Sequence, residues 1–395
     1  MAHSATGPFK VLSLTDSKEI SAFGEARTTT LCPVAGWTFS YNIIDELVTT
    51  SSVNSGSVTQ TSGRAKLSII GSSSEAKVLT KKAVRYLPGI GGLVRATCLW
   101  ETAPAPGNFR IIGLGNNVDG LFFGTSGSSF GITHRVNSID TFYSQSAWSD
   151  NTCPWLDISK GNLYQINYQW LGFGEIKFDI EDPATGRFVP VHRIKYANTS
   201  VSCSLLNPNL PVKAHNYNTF ATGSFVMYSP SAMGFVENPQ GYLPVFHDPL
   251  TISRHTLFAR NSVSAEAVLI VLQSTGSLNG ITNRMNIDLT NLNLTTDGTK
   301  VINFKIIRNP TLGGATPVYT NILLNQSPMN VSTTAGITYT GGTERWAMTL
   351  MKNDRVDEDL SPWIFELAPG ETVILTAQSV SSVDIDGAIQ WYERY

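Results

Sequence analysis

The segment Leu163-Tyr164-Gln165-Ile166-Asn167-Tyr168-Gln169-Trp170 alternates large apolar side chains with amides. Successive side chains of an extended strand point to opposite faces. Tyr164, Ile166, Tyr168 and Trp170 therefore share one face, and Gln165, Asn167 and Gln169 the other, the mark of a half-buried strand. Ile176, Phe178 and Ile180 repeat the pattern, with Glu175, Lys177, Asp179 and Glu181 facing out. Between the two runs, Leu171-Gly172-Phe173-Gly174 supplies hairpin glycines. Asp182-Pro183-Ala184-Thr185-Gly186 reads as a turn, and residues 188–196 return as a strand.

The same signal recurs at residues 93–100, 109–114, 120–124 and 130–135, and further on at 284–294, 300–307, 345–350, 363–367, 373–379 and 388–393. Turns are expected at Asp297-Gly298, Gly313-Gly314, Gly341-Gly342, Pro369-Gly370 and Asp386-Gly387. Residues 264–273 fit a helix or a strand. Only 15% of the 395 residues are charged, against about 25% in an ordinary soluble domain. Ser, Thr, Asn and Gly take their place, which suits strands and tight turns more than helices. The predicted fold class is all-β, with two antiparallel, jelly-roll-like β-sandwich domains behind a polar N-terminal arm. The expected divisions are an arm at 1–30, a first sandwich at 31–237, a Pro/Gly-rich linker at 238–249 and a second sandwich at 250–395.

A net charge of −2 without a large basic stripe argues against a grip on nucleic acid. No apolar run approaches the length of a membrane-spanning helix, so no membrane insertion is expected. No secretory leader is visible at residues 1–10. The Asn-x-Ser/Thr triplets at Asn198, Asn293, Asn325 and Asn330 therefore read as chance in an Asn/Thr-rich chain. Cys32, Cys98, Cys153 and Cys203 are too dispersed for a zinc knuckle and read as buried thiols, although an oxidising medium would allow two disulfides. Synthesis in a cytoplasm together with the surface chemistry of an extracellular protein suits a virion protein.

A resemblance points the same way. Arg85-Tyr86-Leu87-Pro88-Gly89, Ile112-Gly113-Leu114-Gly115-Asn116, Asp119-Gly120-Leu121-Phe122-Phe123-Gly124 and Phe130-Gly131-Ile132-Thr133-His134-Arg135 carry it. Leu163-Tyr164-Gln165-Ile166, Trp170-Leu171-Gly172 and residues 182–188 complete it. On these residues the first domain resembles the laminin-G or concanavalin-like lectin sandwich, in a variant met in virion proteins of tailed phages and large DNA viruses. Phe365-Glu366-Leu367-Ala368-Pro369-Gly370-Glu371-Thr372 and Ala388-Ile389-Gln390-Trp391 are similar to the small β-sandwich that often closes such proteins. The resemblance spans roughly residues 35–395 and is specific to fold. It implies a non-enzymatic component of the virion surface, of the capsid-associated, decoration, spike or fibre type. Its partners would be other virion proteins and copies of itself, a trimer being favoured.

Catalytic motifs fail on context. Gly127-Ser128-Ser129-Phe130-Gly131 has the spacing of a nucleophile elbow, but a strand follows where a helix is required. Ser74-Glu75-Ala76-Lys77 and Ser149-Asp150-Asn151 imitate two β-lactamase motifs without the third. Gly115 to Gly120 has phosphate-loop spacing, yet Leu121 and Phe122 stand where Lys and Ser/Thr belong. Its Asn116, Asn117 and Asp119 offer oxygen ligands for calcium, the one cofactor this sequence suggests. Asp384-Ile385-Asp386-Gly387 is better explained as a hairpin turn than as a cation loop. A carboxylate pair for polysaccharide cleavage would be spatial, and the acidic residues here fall mostly on turns or outward faces. Tyr143, Trp148 and Trp155 lie in a loop-rich stretch where strand periodicity does not explain them. They are the candidate stacking surface for a host-surface glycan, which makes host attachment the alternative function.

Overall fold

The computed structural model describes residues 30–238, 251–297, 300–351, 354–363 and 365–395. The expected arm, except Thr30, and the expected linker, except Asn238, lie outside these residues, as do His3, His247 and Gly298. The chain divides into two compact units, 1–243 and 244–395. Among the described residues there is no α-helix, and the architecture is all-β and antiparallel.

The strands of the first unit are β1 (Thr30–Thr38), β2 (Val48–Val53), β3 (Ser57–Thr61), β4 (Arg64–Ile70), β5 (Glu75–Val84), β6 (Gly92–Cys98), β7 (Asn108–Gly115) and β8 (Gly120–Ser126). Then follow β9 (Ser129–Val136), β10 (Ile139–Ser144), β11 (Asn162–Tyr168), β12 (Ile176–Asp182), β13 (Arg187–Ile194), β14 (Leu210–Asn218), β15 (Ser224–Ser229) and β16 (Ser231–Asn238). One sheet has the order β1-β16-β6-β11-β12-β13; the facing sheet runs β10-β9-β8-β7-β14-β5-β2. A three-stranded sheet, β15-β4-β3, adds Leu67, Ile69, Phe225 and Met227 to the same core.

The inward row of β11, Tyr164, Ile166 and Tyr168, is buried as the alternation requires. Opposite it on β12 stand Ile180, Phe178 and Ile176 in register. The facing sheet answers with Ile112, Leu114, Leu121, Phe123, Ile132, Val212 and Ala214. Phe123 touches Tyr164 and Phe178 at ring-centroid distances of 4.9 and 5.4 Å. Turn chemistry closes the hairpins. Gly172 adopts φ +83° between β11 and β12, and Gly186 φ +62° between β12 and β13. Gly127 turns β8 into β9, so the elbow-like motif is a hairpin.

The second unit contains β17 (Thr251–Arg260), β18 (Ala267–Ser274), β19 (Ser277–Leu278), β20 (Ile281–Thr282), β21 (Asn286–Thr296), β22 (Ile302–Arg308), β23 (Thr311–Gly314) and β24 (Thr320–Asn321). It ends with β25 (Met329–Ser332), β26 (Ile337–Thr340), β27 (Thr343–Leu350), β28 (Arg355–Asp359), β29 (Phe365–Leu367), β30 (Thr372–Ser379) and β31 (Ile385–Arg394). Sheets β17-β31-β21-β28, with β29 on β21, and β24-β25-β18-β30-β22-β27 enclose one core around Trp391, Phe304 and Leu375. The ambiguous stretch 264–273 resolves as a strand, because β18 is buried between β25 and β30. Residues 361–363 form a 3-10 turn, leaving a strand only at Phe365–Leu367.

Two expected turns fall within strands. Gly313-Gly314 closes β23, paired with Thr338 and Ile337 of β26. Asp386-Gly387 lies inside β31, paired with β17 and β21. A Cβ on Gly387 would stand 2.3 Å from the Phe258 ring, so the glycine makes room for an aromatic ring and no chain reversal occurs there. Cys98 and Cys153 are buried, as expected, whereas Cys32 and Cys203 are half-buried.

Candidate functional site

β10 is an edge strand of the seven-stranded sheet, and its chain turns at once through a single 3-10 turn, Gln145–Ala147. Gln145 Nε2 pins the returning loop by donating to the carbonyls of Thr152 (2.8 Å) and Cys153 (3.1 Å). The next side chain, Trp148, drops into the core. It is 6% exposed and packs edge-on to Phe123 and Phe130 at 6.2 and 6.1 Å. Its Nε1 donates to the Tyr143 carbonyl at 3.3 Å. Trp148 is thus a core residue and offers no face to a sugar, because the aromatic cluster takes up its apolar surface. Tyr143 is half-buried, with its ring 4.6 Å from that of His192. Trp155, 38% exposed, is the one of the three with a free face.

Outside Trp148, a groove of about 490 Å³ is lined by Ser129, Phe130, Ser144, Gln145, Ser146 and Thr152. Its walls are four hydroxyls and an amide, with no ionisable side chain. The hydroxyls both donate and accept, and the Gln145 amide, its Nε2 engaged in the loop, adds the acceptor Oε1, a capacity that suits polyhydroxylated ligands. A second groove of about 410 Å³ beside Thr38, Leu47, Arg95, Leu163 and Met233 is mainly apolar.

The expected calcium loop proves to be internally satisfied. Asp119 is fully buried, and its carboxylate accepts from the backbone N–H of Leu206, Asn207 and Asn137 at 3.2, 3.1 and 3.5 Å. Asn116 Oδ1 caps the N–H groups of Val118 and Asp119. The Lys213 ammonium donates to Asn117 Oδ1 at 3.2 Å and to the Asn116 carbonyl at 3.4 Å. Arg135 Nη1 donates to that same carbonyl. Backbone N–H groups thus meet Asn116 Oδ1 and the Asp119 carboxylate, and two cations of the chain itself meet Asn117 Oδ1 and the Asn116 carbonyl, as in a structural loop.

Lys213 belongs to a charged array that sequence reasoning missed. In β14, Val212 and Ala214 enter the core while Lys213, His215 and Tyr217 face away from it. That alternation was readable in Pro211-Val212-Lys213-Ala214-His215. Beside them stand Glu75 and Lys77 of β5, Phe122 of β8, and Arg135 of β9 with its bidentate partner Asp140 at 2.6 and 2.8 Å. The Arg135 guanidinium lies over the Phe122 ring at 5.8 Å. Tyr217 stacks on His215 at 4.5 Å and on Phe109 at 5.0 Å. Glu75 Oε1 is 2.8 Å from Lys77 Nζ and 3.3 Å from His215 Nε2. The His215 contact, with Lys77 adding to it, holds the Glu75 carboxyl down to about 2. Burial pushes His215 down to about 4, and pushes Lys213 to about 7 with help from Arg135 and Lys77.

One outward carboxylate also differs from expectation. Asp179 faces away from the core yet is only 2% exposed. It accepts from Gln165 Nε2 at 3.0 Å and Asn167 Nδ2 at 2.7 Å, and Lys177 Nζ stands 3.5 Å away. Among the described residues no group of His, Cys, Asp and Glu is arranged to hold a metal.

No protein-family model matches the chain, and no curated protein matches it. Similar solved structures include the metal-free lectin I-B4 from Griffonia simplicifolia (12% identity, TM-score 0.33, 51% of this chain and 99% of that one). The CBM2 module of the evolved Dit of Lactobacillus casei BL23 phage J-1 is 12% identical at TM-score 0.37, covering 54% of this chain and 99% of that one. A β-1,3-glucanase from Mycobacterium marinum is 11% identical at TM-score 0.34, covering 50% and 97%. Likenesses this distant assign no function.

Two measurements separate core from surface. Trp148→Ala is expected to lower unfolding stability by about 3–5 kcal/mol, and Trp155→Ala by less than about 1 kcal/mol, both read from urea melts. Equal losses would show that Trp148 is not a core residue. Lys213 yields a pH signature. Its folded value of about 7 lies below the ordinary 10.5. Between these values the unfolded chain binds the extra proton, so this contribution to stability rises with pH across that window and is at its minimum below pH 7. The stability of the wild type relative to Lys213→Met should climb between about pH 7 and 10. A flat difference would place the Lys213 titration elsewhere.

Proposed function

We propose that the chain is a non-enzymatic component of a virion surface whose first unit binds a glycan in the hydroxyl-lined groove at the Gln145–Ala147 turn. The observation that carries the binding role is the groove's chemistry. It combines hydroxyls and an amide with the flank of Phe130, held beside a rigid sheet edge. The exposed indole of Trp155, in the same loop, supplies a stacking face. Ligand sites of this kind are concave and carry a few well-placed polar groups.

A binding role fits better than polysaccharide cleavage. Glycoside hydrolysis needs two carboxyl groups, one with a raised pKa. The groove lining has none. On the adjoining outer face Glu75 is held near 2 and Asp140 is locked to Arg135. The virion assignment rests on the sequence resemblance. In this reading the chain is made in a host cytoplasm, assembles as a trimer and contacts other virion proteins.

On a glycan array the intact chain should bind a defined set of sugars saturably. Ser146→Ala and Trp155→Ala should each weaken that binding about tenfold, the loss of roughly one good contact, without shifting the melting temperature. Silence on the array and on host cells would remove the glycan reading while leaving the structural one. The structural reading is tested by light scattering and by a particle map. A trimer located on the particle surface is expected, and a monomer absent from particles would overturn it.

A further inference from the structure

At one end of the first unit's interior the inward row of the seven-stranded sheet turns polar. Asn216 of β14, Arg110 of β7 and Thr125 of β8 stand side by side in register. Each lies two residues from a core position, Ala214, Ile112 and Phe123, and so shares its face. Arg110 is 0% exposed and Thr125 1%. Arg110 Nη1 donates to the carbonyls of Thr102 at 2.7 Å and Val226 at 3.3 Å, and its guanidinium lies 5.6 Å from the Phe225 ring centre.

The opposite edge of the guanidinium is unmet. Nε and Nη2 are buried without a protein partner, as is Thr125 Oγ1 on the neighbouring strand. Trp100 Nε1 is also unmet, and its indole packs at 5.1 Å on Phe130, the residue paired with Thr125. Among the described residues no carboxylate pairs with Arg110. The ionisable group acting on it is the Cys98 thiol, which burial pushes far up and so keeps neutral. Burial brings Arg110 down only to about 10, leaving it cationic at neutral pH.

A buried charge with no counter-charge is among the costliest arrangements in a protein interior. Ordered water satisfies donors but does not neutralise charge. Arginine cannot escape by losing its proton. Nε and Nη2 form one edge of a planar fork, a geometry made for anions. Asn108, two residues earlier, leaves only its Oδ1 unmet, which suits a water donor in the remaining shell of such an ion.

We infer that the first unit encloses a small monovalent anion of chloride size, held between the Nε–Nη2 edge of Arg110 and the Thr125 hydroxyl. The ion neutralises the interior of the sandwich and is independent of the glycan groove. Crystals of the intact chain grown with bromide in place of chloride should show an anomalous peak within hydrogen-bond distance of Arg110 Nε and Nη2. Density for water alone at that position would overturn the inference. In solution, chloride replacing gluconate at equal ionic strength should raise the wild-type melting temperature by roughly 3 °C, the shift of a ligand at about ten times its Kd. Arg110→Met should abolish that difference. If this variant does not fold, the bromide peak in the wild type decides alone.

Discussion

The first unit depends on an aromatic cluster in which both sheets meet around Phe123. Tyr164 and Phe178 reach it from the six-stranded sheet, and Trp148 from the loop after β10. Trp100 and Phe130 extend it, in edge contact at 5.1 Å. Edge-to-face rings of this kind add to the area they bury and fix the spacing of the sheets. The cluster also shapes the surface above it. Because Trp148 must enter the core, the chain turns immediately past the sheet edge. Ser144, Ser146 and Thr152 are then left outside as the groove wall.

A sheet has two faces, and the core occupies one of them. On the other face, polar residues of the first unit are buried against one another. Asp179 sits in a ladder of two amides beside the Lys177 ammonium. Lys213 is sealed under the loop it tethers, and Arg135 lies flat on Phe122. Each group loses water and must be met by another side chain, so these faces are rigid networks of matched partners. This is how a chain with few charges places nearly all of its notable electrostatics at particular sites. Arg110 departs from the pattern, since its partners meet only one edge of the guanidinium.

Much of the scaffold was legible. Where alternation is strict, as in residues 163–170, the inward face was read correctly residue by residue. Turn residues located the hairpins at Gly172 and Gly186 and the links between strands at Gly342 and Gly370, and all four glycines have positive φ. The site was legible only in part. Trp148 looked available because a loop has no period, and periodicity is what distinguishes buried from exposed positions in a strand. Asn116, Asn117 and Asp119 looked like cation ligands because their partners lie far along the chain, Lys213 for Asn116 and Asn117, and the Leu206 and Asn207 N–H groups for Asp119. Asp386-Gly387 carried a turn signature, but glycine also serves where a neighbouring ring needs room.

By itself the sequence determined that this chain is all-β, which residues face inward along its regular strands, and where most chain reversals fall. These follow from local properties, the two-residue period of a strand and the φ that a turn demands. Only the tertiary structure decided that β1 pairs with β16 and that β14 inserts between β7 and β5. Those pairings bring Lys213 to Asn117, His215 to Glu75, and Asn216 beside Arg110. Partner choice and register between distant strands are set by how whole faces fill one core, and no local pattern encodes that.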